Sequence, residues 1–233
     1  MKIFLKIILP ILIIHFTILQ ISTVKGESMQ RSFYENDIIF VSFLSYGIPI
    51  PSLYKYDINL LPDFNGNGHL YTDDGPKHGD IVTIKHHKKD IFEHYIKRCF
   101  ARGGDEIIFT DKKIYLKTTA KINSSFRNLN GSKWYSNPYK EMFFSNERFT
   151  EFQRAIENLY QGGKDIRTPI FIKELKTEAF SINGKTYNAF YYKVPKDKYF
   201  VMGDNVDMST DSRTFGAVSY EDILGKVIGV LRF

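Results

Sequence analysis

The most informative chemical group in this sequence is a lysine within a short apolar run. Lys97 lies in the segment Tyr95–Phe100, where the alternation of a strand would place it on one face with Tyr95 and Cys99. A lysine amine has a pKa of about 10.4 and is almost always charged at pH 7. Burial against an apolar face can lower that pKa by up to about 3–5 units, which would make Lys97 a general base. A lysine that reaches solvent from a strand edge is the alternative interpretation.

The histidines and the cysteine offer weaker chemistry. His15 lies in an apolar N-terminal run, and the other five histidines fall in predicted loops or hairpin tips. The sequence has no Gly-x-Ser-x-Gly elbow of the kind that serine hydrolases use, so we interpret these histidines as solvated surface residues. The one cysteine, Cys99, excludes an intrachain disulfide, and no Cys/His set has the spacing of a zinc site.

Two further segments hold residues that could take part in catalysis. Gly26-Glu27-Ser28-Met29 places a serine just beyond the apolar N-terminal run, and a serine nucleophile needs a nearby base such as Lys97. Residues 202–218 are rich in Asp, Asn, Ser and Arg. The acidic residues of this segment lack the ligand spacing and the terminal glutamate of a calcium loop, so we expect neither a metal nor an organic cofactor.

Together these segments resemble the conserved boxes of the bacterial type I signal peptidases (leader peptidases), membrane-anchored serine proteases that use a Ser–Lys dyad. The nucleophile box of that family, Gly-x-Ser-Met-x-Pro-Thr-Leu, corresponds to residues 26–33, and its Arg-Gly-Asp-Ile-Val-like strand corresponds to residues 78–82. The lysine box, Tyr-x-Lys-Arg-Val-x-Gly-x-Pro-Gly-Asp, corresponds to residues 95–105. The last box, Gly-Asp-Asn-x-x-x-Ser-x-Asp-Ser-Arg-x-x-Gly-x-Val, is matched at every fixed position from Gly203 to Val218.

The resemblance implies a role for each matched residue. Ser28 would be the nucleophile and Lys97 the general base, with Ser209 donating or accepting a hydrogen bond that orients the lysine amine. Asp211 and Arg213 would form a supporting ion pair. The remaining implied residues hold the turn of the last box or line two shallow substrate pockets: Asp204 and Asn205 for the turn, and Met29, Phe33, Tyr95 and Ile96 for the pockets.

The chain departs from the family boxes at a few positions. Arg31 replaces the proline of the nucleophile box, and Ala101 and Gly103 replace the glycine and the proline of the lysine box. No proton-transfer group is lost, so we expect an active enzyme. Gly26 stands where some family members carry a serine whose hydroxyl assists the oxyanion, so the backbone N–H of Ser28 would meet the oxyanion here.

An apolar N-terminal segment precedes the nucleophile box. Ile7–Val24 has 18 residues, of which 12 are Ile, Leu, Val or Phe and none is charged. As a helix this segment would be about 27 Å long, close to the hydrocarbon thickness of a bilayer. Lys2 and Lys6 favour a cytoplasmic N-terminus. We therefore expect a transmembrane anchor over residues 1–24, and a cleaved secretory signal is the alternative.

The rest of the chain, residues 25–233, is predicted to be an extracytoplasmic catalytic domain. Its fold class is mainly β, a β-rich signal-peptidase-like body after a single transmembrane helix, with one helical insertion. Runs of β-branched and aromatic residues between turn signals predict strands near residues 37–41, 81–84, 94–100, 107–116, 187–194, 199–202 and 223–233. Asn183-Gly184 predicts a two-residue hairpin. Residues 117–180 would form an insertion or subdomain, in which apolar residues recur at helical spacing over 149–159.

The resemblance also implies substrates and a location. The expected activity is the removal of N-terminal signal peptides from exported preproteins at the outer (periplasmic) face of the bacterial plasma membrane, with membrane lipids as a second partner. Lys2, Lys6 and Lys25 account for half of the net charge of +6, so the body is only mildly basic and nucleic-acid binding is not indicated. Two alternatives remain open: a dedicated Ser–Lys processing peptidase of a conjugation or pilus system, and a membrane-tethered binding protein without activity. The sequence does not predict an oligomeric state.

Overall fold

The computed structural model describes residues 18–50, 52–53, 58–59, 61–88, 91–109, 114–118, 134–136, 176–182 and 185–233. Strands dominate these residues, and the one α-helical segment among them, α1, is a single turn at Ser212–Phe215. The strands are β1 (Leu19–Thr23), β2 (Ile38–Ser42), β3 (Gly47–Pro49), β4 (Ser52–Leu53), β5 (Ile58–Asn59), β6 (His69–Thr72), β7 (Ile81–Lys88), β8 (Ile91–Arg102), β9 (Glu106–Phe109), β10 (Ile114–Lys117), β11 (Trp134–Ser136), β12 (Lys176–Ile182), β13 (Lys185–Lys193), β14 (Lys198–Met202), β15 (Val218–Ser219) and β16 (Ile223–Leu231). The prediction of a mainly β body is confirmed.

The larger sheet has seven strands in the order β1-β2-β16-β7-β8-β14-β15, and every neighbouring pair is antiparallel. Its centre is the long hairpin of β7 and β8, in which Val82 lies opposite Lys97 and Ile84 lies opposite Tyr95. Val82 and Ile84 are fully buried, as the β-branched residues of a central strand are expected to be. This hairpin therefore presents the face of Lys97 to an apolar interior.

A second sheet has five strands in the order β11-β10-β9-β13-β12. β12 and β13 pair with Ile182 opposite Lys185, which confirms the predicted hairpin. Buried residues of β9, β10 and β13 pack against Phe100 and Phe200 of the larger sheet. Each such side chain contributes about 1.5–3 kcal/mol by its burial, so this cluster fixes how the two sheets pack.

Several strands differ in length from the prediction. The β7–β8 hairpin extends through His86, His87 and Lys88 on one side, where the sequence predicts a polar hairpin tip. The predicted strand at residues 107–116 is two strands, β9 and β10, which pair with Ile114 opposite Phe109. Cross-strand pairing extends these elements beyond the apolar residues that identify them in the sequence.

The last residues of the predicted membrane span do not form a helix. Leu19–Thr23 is strand β1, which pairs with β2 along its whole length, with Ile21 opposite Phe40. The prediction of an anchor that continues to residue 24 is therefore wrong at its C-terminal end. Polar and apolar residues alternate here, with Gln20 and Ser22 on either side of Ile21, and this period of two suits an edge strand that the exposed edge of β2 can accept.

The first part of the predicted span, residues 7–17, lies outside the described residues. No helix in the described part of the chain is both long and apolar enough to cross a membrane. The apolar periodicity at residues 149–159, which predicts the helical insertion, also lies outside the described residues. Within the predicted insertion 117–180, the structure describes β11, the start of β12 and residues 117–118.

Candidate active site

The segment that carries Ser28 is a tight turn anchored in the core. Val24 and Met29 are 2% and 1% exposed and pack in an apolar cluster with Ile39 and Val41 of β2. Between them the chain turns at Gly26, whose φ of +79° favours glycine. Because residues on both sides of the turn are fixed in the core, the half-exposed Ser28 has a defined position at the surface of the sheet.

Strand β8 brings Lys97 to this turn. Lys97 Nζ donates a hydrogen bond to Ser28 Oγ at 3.0 Å and a second one to the Ile96 carbonyl oxygen at 3.0 Å. The lysine is only 2% exposed, and its Nζ lies 5.1 Å from the centre of the Tyr95 ring. The predicted placement of Lys97 and Tyr95 on one face of a strand is thus confirmed. The structure brings the predicted nucleophile and base into direct contact.

The environment of Lys97 favours the neutral amine. Burial lowers the pKa of Lys97 from 10.5 to about 8. The negative charges of Asp211 and Asp204 act to raise this pKa, and the positive charge of Arg213 acts with burial to lower it. At pH 7 a group with a pKa of about 8 is neutral in roughly one molecule in ten, which is ample for a general base.

The opposite face of β8 ties the nucleophile turn to the last box. Arg98 donates to both carboxylate oxygens of Asp204, at 2.7 and 2.6 Å, and it also donates to Ser32 Oγ at 3.0 Å. The Ser32 hydroxyl in turn donates to Asp204 at 2.5 Å. Asp204 is fully buried, and a buried charge needs such a partner. Sequence reasoning missed Ser32 and Arg98, although the alternation of β8 placed a cation on the face opposite Lys97.

The last box is held by its second ion pair. Arg213 Nε and Nη2 each lie 2.8 Å from an oxygen of Asp211, which also accepts the backbone N–H of Gly203 at 3.0 Å. Burial acts to raise the pKa of Asp211, but the charge and hydrogen bonds of Arg213, together with hydrogen bonds from the Gly203 backbone and Ser209, hold the pKa below its usual range. The structure thus contains the predicted pair of Asp211 and Arg213. Asn205 joins this box to the nucleophile turn, because its backbone N–H donates to the Ser28 carbonyl oxygen at 3.0 Å.

Ser209 does not make its predicted contact. In the structure the amine of Lys97 donates to Ser28 and Ile96, while Ser209 interacts with Asp211 and helps to lower the pKa of that carboxyl. The Ser209 side chain instead packs against Gly203, where a Cβ atom would lie 2.3 Å from Ser209 Oγ and 2.5 Å from the Ser28 carbonyl oxygen. Ser209 is therefore adjacent to the nucleophile turn without bonding the lysine.

A cleft of about 240 Å³ opens beside Ser28 and Lys97. It lies between β1, with Gln20 and Ser22, and the part of β8 that begins at His94; its other lining residues are Thr23, Val24, Lys25, Ser28, Met29, Ile39, Val41, Thr83, Tyr95, Ile96 and Lys97. Three of the four predicted pocket residues, Met29, Tyr95 and Ile96, line this cleft. The fourth does not, because Phe33 lies one turn beyond Met29 and points into the core, where it is 6% exposed.

The departures from the family boxes have visible structural counterparts. Arg31 has a φ of +82°, which the ring of a proline cannot adopt, so the turn after Ser28 follows a path that excludes the family's proline. At Gly103 a Cβ atom would lie 2.9 Å from the backbone nitrogen of Asp197 and 3.0 Å from the carbonyl oxygen of Pro195. The close approach of these two loops explains the glycine. Ala101 is fully buried.

Within the described ranges, no group of three or more His, Cys, Asp or Glu side chains could hold a metal ion. The two carboxylates described at this site, Asp204 and Asp211, are each paired with an arginine. The arrangement is that of a hydroxyl, a buried amine and an adjacent open cleft, which suits acyl transfer.

Comparisons with known proteins agree with this chemistry. The model of the family described as signal peptidase, peptidase S26, matches residues 1–231. Signal peptidase I of Helicobacter pylori is 34% identical over 94% of this chain and 76% of its own length, and signal peptidase I of Rickettsia akari is 30% identical over 92% and 72%. A crystal structure of a signal peptidase I from Enterococcus faecalis aligns with 67% of this chain and 99% of its own at 19% identity and a TM-score of 0.32. From the match of the family model and the Helicobacter relative, we conclude that this chain is a serine endopeptidase that belongs to the signal peptidase S26 family.

Proposed function

We propose that this protein removes N-terminal signal peptides from exported preproteins, with Ser28 as nucleophile and Lys97 as general base. The observation that supports these roles most strongly is the 3.0 Å hydrogen bond between the two side chains, formed by an amine that is 2% exposed. Burial explains how a lysine can act as a base near neutral pH. Membership of the signal peptidase family supports preproteins with signal peptides as the substrate class.

The reaction follows the Ser–Lys variant of acyl transfer. Neutral Lys97 accepts the proton of Ser28 Oγ as that oxygen attacks the scissile carbonyl carbon, and the resulting ammonium protonates the amine of the departing mature protein. The signal peptide remains as an ester on Ser28. Lys97 then takes a proton from a water molecule that attacks the ester, which releases the signal peptide and restores the serine.

The oxyanion of each tetrahedral intermediate is stabilised by the backbone N–H of Ser28. A side-chain donor two residues earlier is absent because Gly26 stands there. One such donor is worth about 2.7–4 kcal/mol where an enzyme uses it, so the fixed geometry of the Ser28 turn matters more in this chain. Asn205, which holds the Ser28 carbonyl oxygen, fixes the direction of that turn, and Asp204 holds it through Ser32.

The substrate binds as an extended strand between β1 and β8. β14 pairs with β8 only from Arg98 onwards, so residues 94–97 of β8 do not pair with β14. β1 is the terminal strand of the seven-stranded sheet, so one of its edges is also open. An extended peptide in the cleft would add main-chain hydrogen bonds to these edges. Met29, Tyr95 and Ile96, which line the cleft, would then receive the small side chains that the family's substrates carry at the first and third positions before the cut.

Residues before β1 anchor the enzyme in the bacterial plasma membrane. The chain before residue 18 is almost entirely apolar after Lys6, and Lys2 and Lys6 place the N-terminus in the cytoplasm. The catalytic domain then lies at the outer face, where Ser28 is ten residues past Ile18 and close to the bilayer. Lys25 and Arg31 would contact anionic lipid head groups, each worth about 1 kcal/mol near a charged leaflet.

The test is cleavage of synthetic preproteins by the purified full-length protein in detergent. We expect cuts after small residues in several unrelated preproteins, and loss of all turnover in Ser28→Ala and Lys97→Ala variants that retain the parent's circular dichroism and melting temperature. Activity that survives both substitutions would refute the assigned dyad. Cleavage of one preprotein alone would identify a dedicated processing peptidase, and an inactive parent chain would identify a binding protein.

A further inference from the structure

Three aromatic rings stack on the half of the β7–β8 hairpin that is nearer to its turn. His86 lies 5.2 Å from Tyr95 between ring centres with an interplanar angle of 25°. Phe215 lies 4.6 Å from His86 and 6.4 Å from Tyr95. All three side chains are half-buried. The three rings, here called the Tyr95 stack, therefore form one contact unit in which His86 lies between Tyr95 and Phe215.

The Tyr95 stack joins elements that are distant in the chain. His86 belongs to β7 and Tyr95 to β8, whereas Phe215 is the last residue of α1. Asp211, whose side chain accepts the Arg213 backbone N–H, caps α1 at its start. The stack thus packs the segment that carries the Asp211–Arg213 pair against the strand that carries Lys97.

The stack borders the amine of Lys97. The Lys97 amine lies over the Tyr95 ring, 5.1 Å from its centre, and Tyr95 and Lys97 share one face of β8. Towards the interior, Lys97 lies opposite the buried Val82 and two residues before the buried Cys99. The half-buried Tyr95 therefore covers the side of the amine that is nearer to solvent, and its position depends on the rings packed against it.

On the basis of the proposed function, we propose that His86 and Phe215 are positioning residues that hold Tyr95 against the Lys97 amine and so keep water away from it. Neither residue touches the reacting atoms. Their effect is on the base alone: without the stack, Tyr95 can move and water can solvate the ammonium form, which favours the charged state. The charges that act on the amine are those of Asp204, Asp211 and Arg213. His86 belongs to β7 and not to the segment that carries Asp211 and Arg213, so His86→Ala changes the stack without altering that segment's own residues.

The experiment measures the acid limb of kcat/KM against pH for His86→Ala and Phe215→Ala in the full-length enzyme. We expect each variant to move the limb upward by about one pH unit, with about tenfold lower kcat/KM on the limb and little change at the alkaline plateau. The His86→Phe variant keeps a ring in the stack and should restore the parent profile. The Phe109→Leu variant removes a core ring of another cluster, and it should lower the melting temperature without moving the limb.

A second readout does not depend on activity. The protein labelled with ¹³C at the lysine Cε positions is titrated by NMR, and Lys97→Met identifies the Lys97 signal. If Lys97 titrates well below an ordinary lysine in the parent and about one pH unit higher in His86→Ala and Phe215→Ala, the stack sets its environment. An unchanged titration in both variants overturns the inference while leaving the dyad intact. An ordinary titration already in the parent instead contradicts the lysine base, and with it the proposed function.

Discussion

At the scale of single residues, the proposed chemistry depends on an amine that is kept out of water. The ammonium form of Lys97 would gain no close carboxylate, because Asp204 and Asp211 are each engaged by an arginine. Their charges oppose the effect of burial only in part, and the pKa remains at about 8. The two aspartates thus support the site by fixing the backbone around Lys97 without holding its proton.

The rate of cleavage should report this pKa. Because only the neutral amine can accept the Ser28 proton, kcat/KM should rise about tenfold per pH unit below pH 8 and level off above it. The measurement is a pH profile of peptide cleavage between pH 5.5 and about 10. A profile that stays flat from pH 6 to about 9 would show that another group takes the proton.

The same burial should make Lys97 a cost to stability. The folded-state pKa of about 8 lies below the usual 10.5, so the unfolded chain binds more protons between these values and stability rises with pH in that window. Below pH 8 the whole penalty is present, about 3 kcal/mol. Lys97→Met should therefore stabilise the protein at pH 6 by up to about this amount, and the gain should vanish above pH 10.5.

Urea unfolding at pH 6 and at pH 10.5 measures this difference. Ser28→Ala is the matched control, because it removes the other side of the same hydrogen bond and leaves the buried amine. Equal stability of Lys97→Met and the parent at both pH values would contradict the effect of burial.

At the scale of elements, the nucleophile turn and the last box behave as one unit. Asp204 reaches back to Ser32 and to Arg98 of β8, while the Asn205 backbone holds the Ser28 carbonyl oxygen. A change in one of these elements must therefore move another. Gly203 is the point of closest approach, since a Cβ atom there would overlap both the Ser28 carbonyl oxygen and Ser209 Oγ.

The Gly203→Ala variant should consequently damage activity more than a glycine substitution elsewhere. A forced overlap of this kind costs about 1–3 kcal/mol, and we expect kcat to fall by about tenfold or more because the Ser28 turn shifts. Gly229→Ala is the control: its Cβ would meet only the Phe40 ring at 3.4 Å, an ordinary contact. Measurements of kcat and of the melting temperature for both variants test this prediction. Unchanged kcat in a folded Gly203→Ala enzyme would contradict the coupling.

At the scale of the whole molecule, the cleft exists because the larger sheet brings its first strand near its fifth. β1 and β8 are four places apart in the sheet order, yet Ser22 and His94 line the same cleft. The strand before the nucleophile thus forms one wall and the strand that carries the base forms the other.

Removal of residues 1–17 should separate catalysis from membrane attachment. We expect the shortened enzyme to cut a soluble peptide at about the parent's kcat/KM, because β1 is intact, and to process a preprotein in lipid vesicles at least about tenfold more slowly, because the two partners are no longer concentrated at one surface. Flotation of both proteins with vesicles gives the attachment directly. Equal rates on vesicle-bound preprotein would contradict an anchoring role for this segment.

Much of the fold and the site could be predicted from short-range signals. The strands β2, β7, β8, β14 and β16 and the β12–β13 hairpin follow from residues that are neighbours in the chain. The placement of Lys97 beside Tyr95 follows from strand alternation, whereas its pairing with Ser28 is implied only by the resemblance to the family boxes. The burial of Phe33 and the absence of a bond from Ser209 to Lys97 could not be predicted in this way. Both depend on how the nucleophile turn packs against the sheet.

The sequence by itself determined which residues can do chemistry and on which kind of element they lie, because residue type, motif spacing and side-chain periodicity are local properties of the chain. Only the tertiary structure decided that Leu19–Thr23 is a strand, that Arg98 and Ser32 hold Asp204, and that His86 and Phe215 stack on Tyr95. Each of these contacts joins surfaces that become neighbours only when the sheet closes. The backbone of Leu19–Thr23 is satisfied by pairing with the edge of β2, and that edge exists only in the folded sheet.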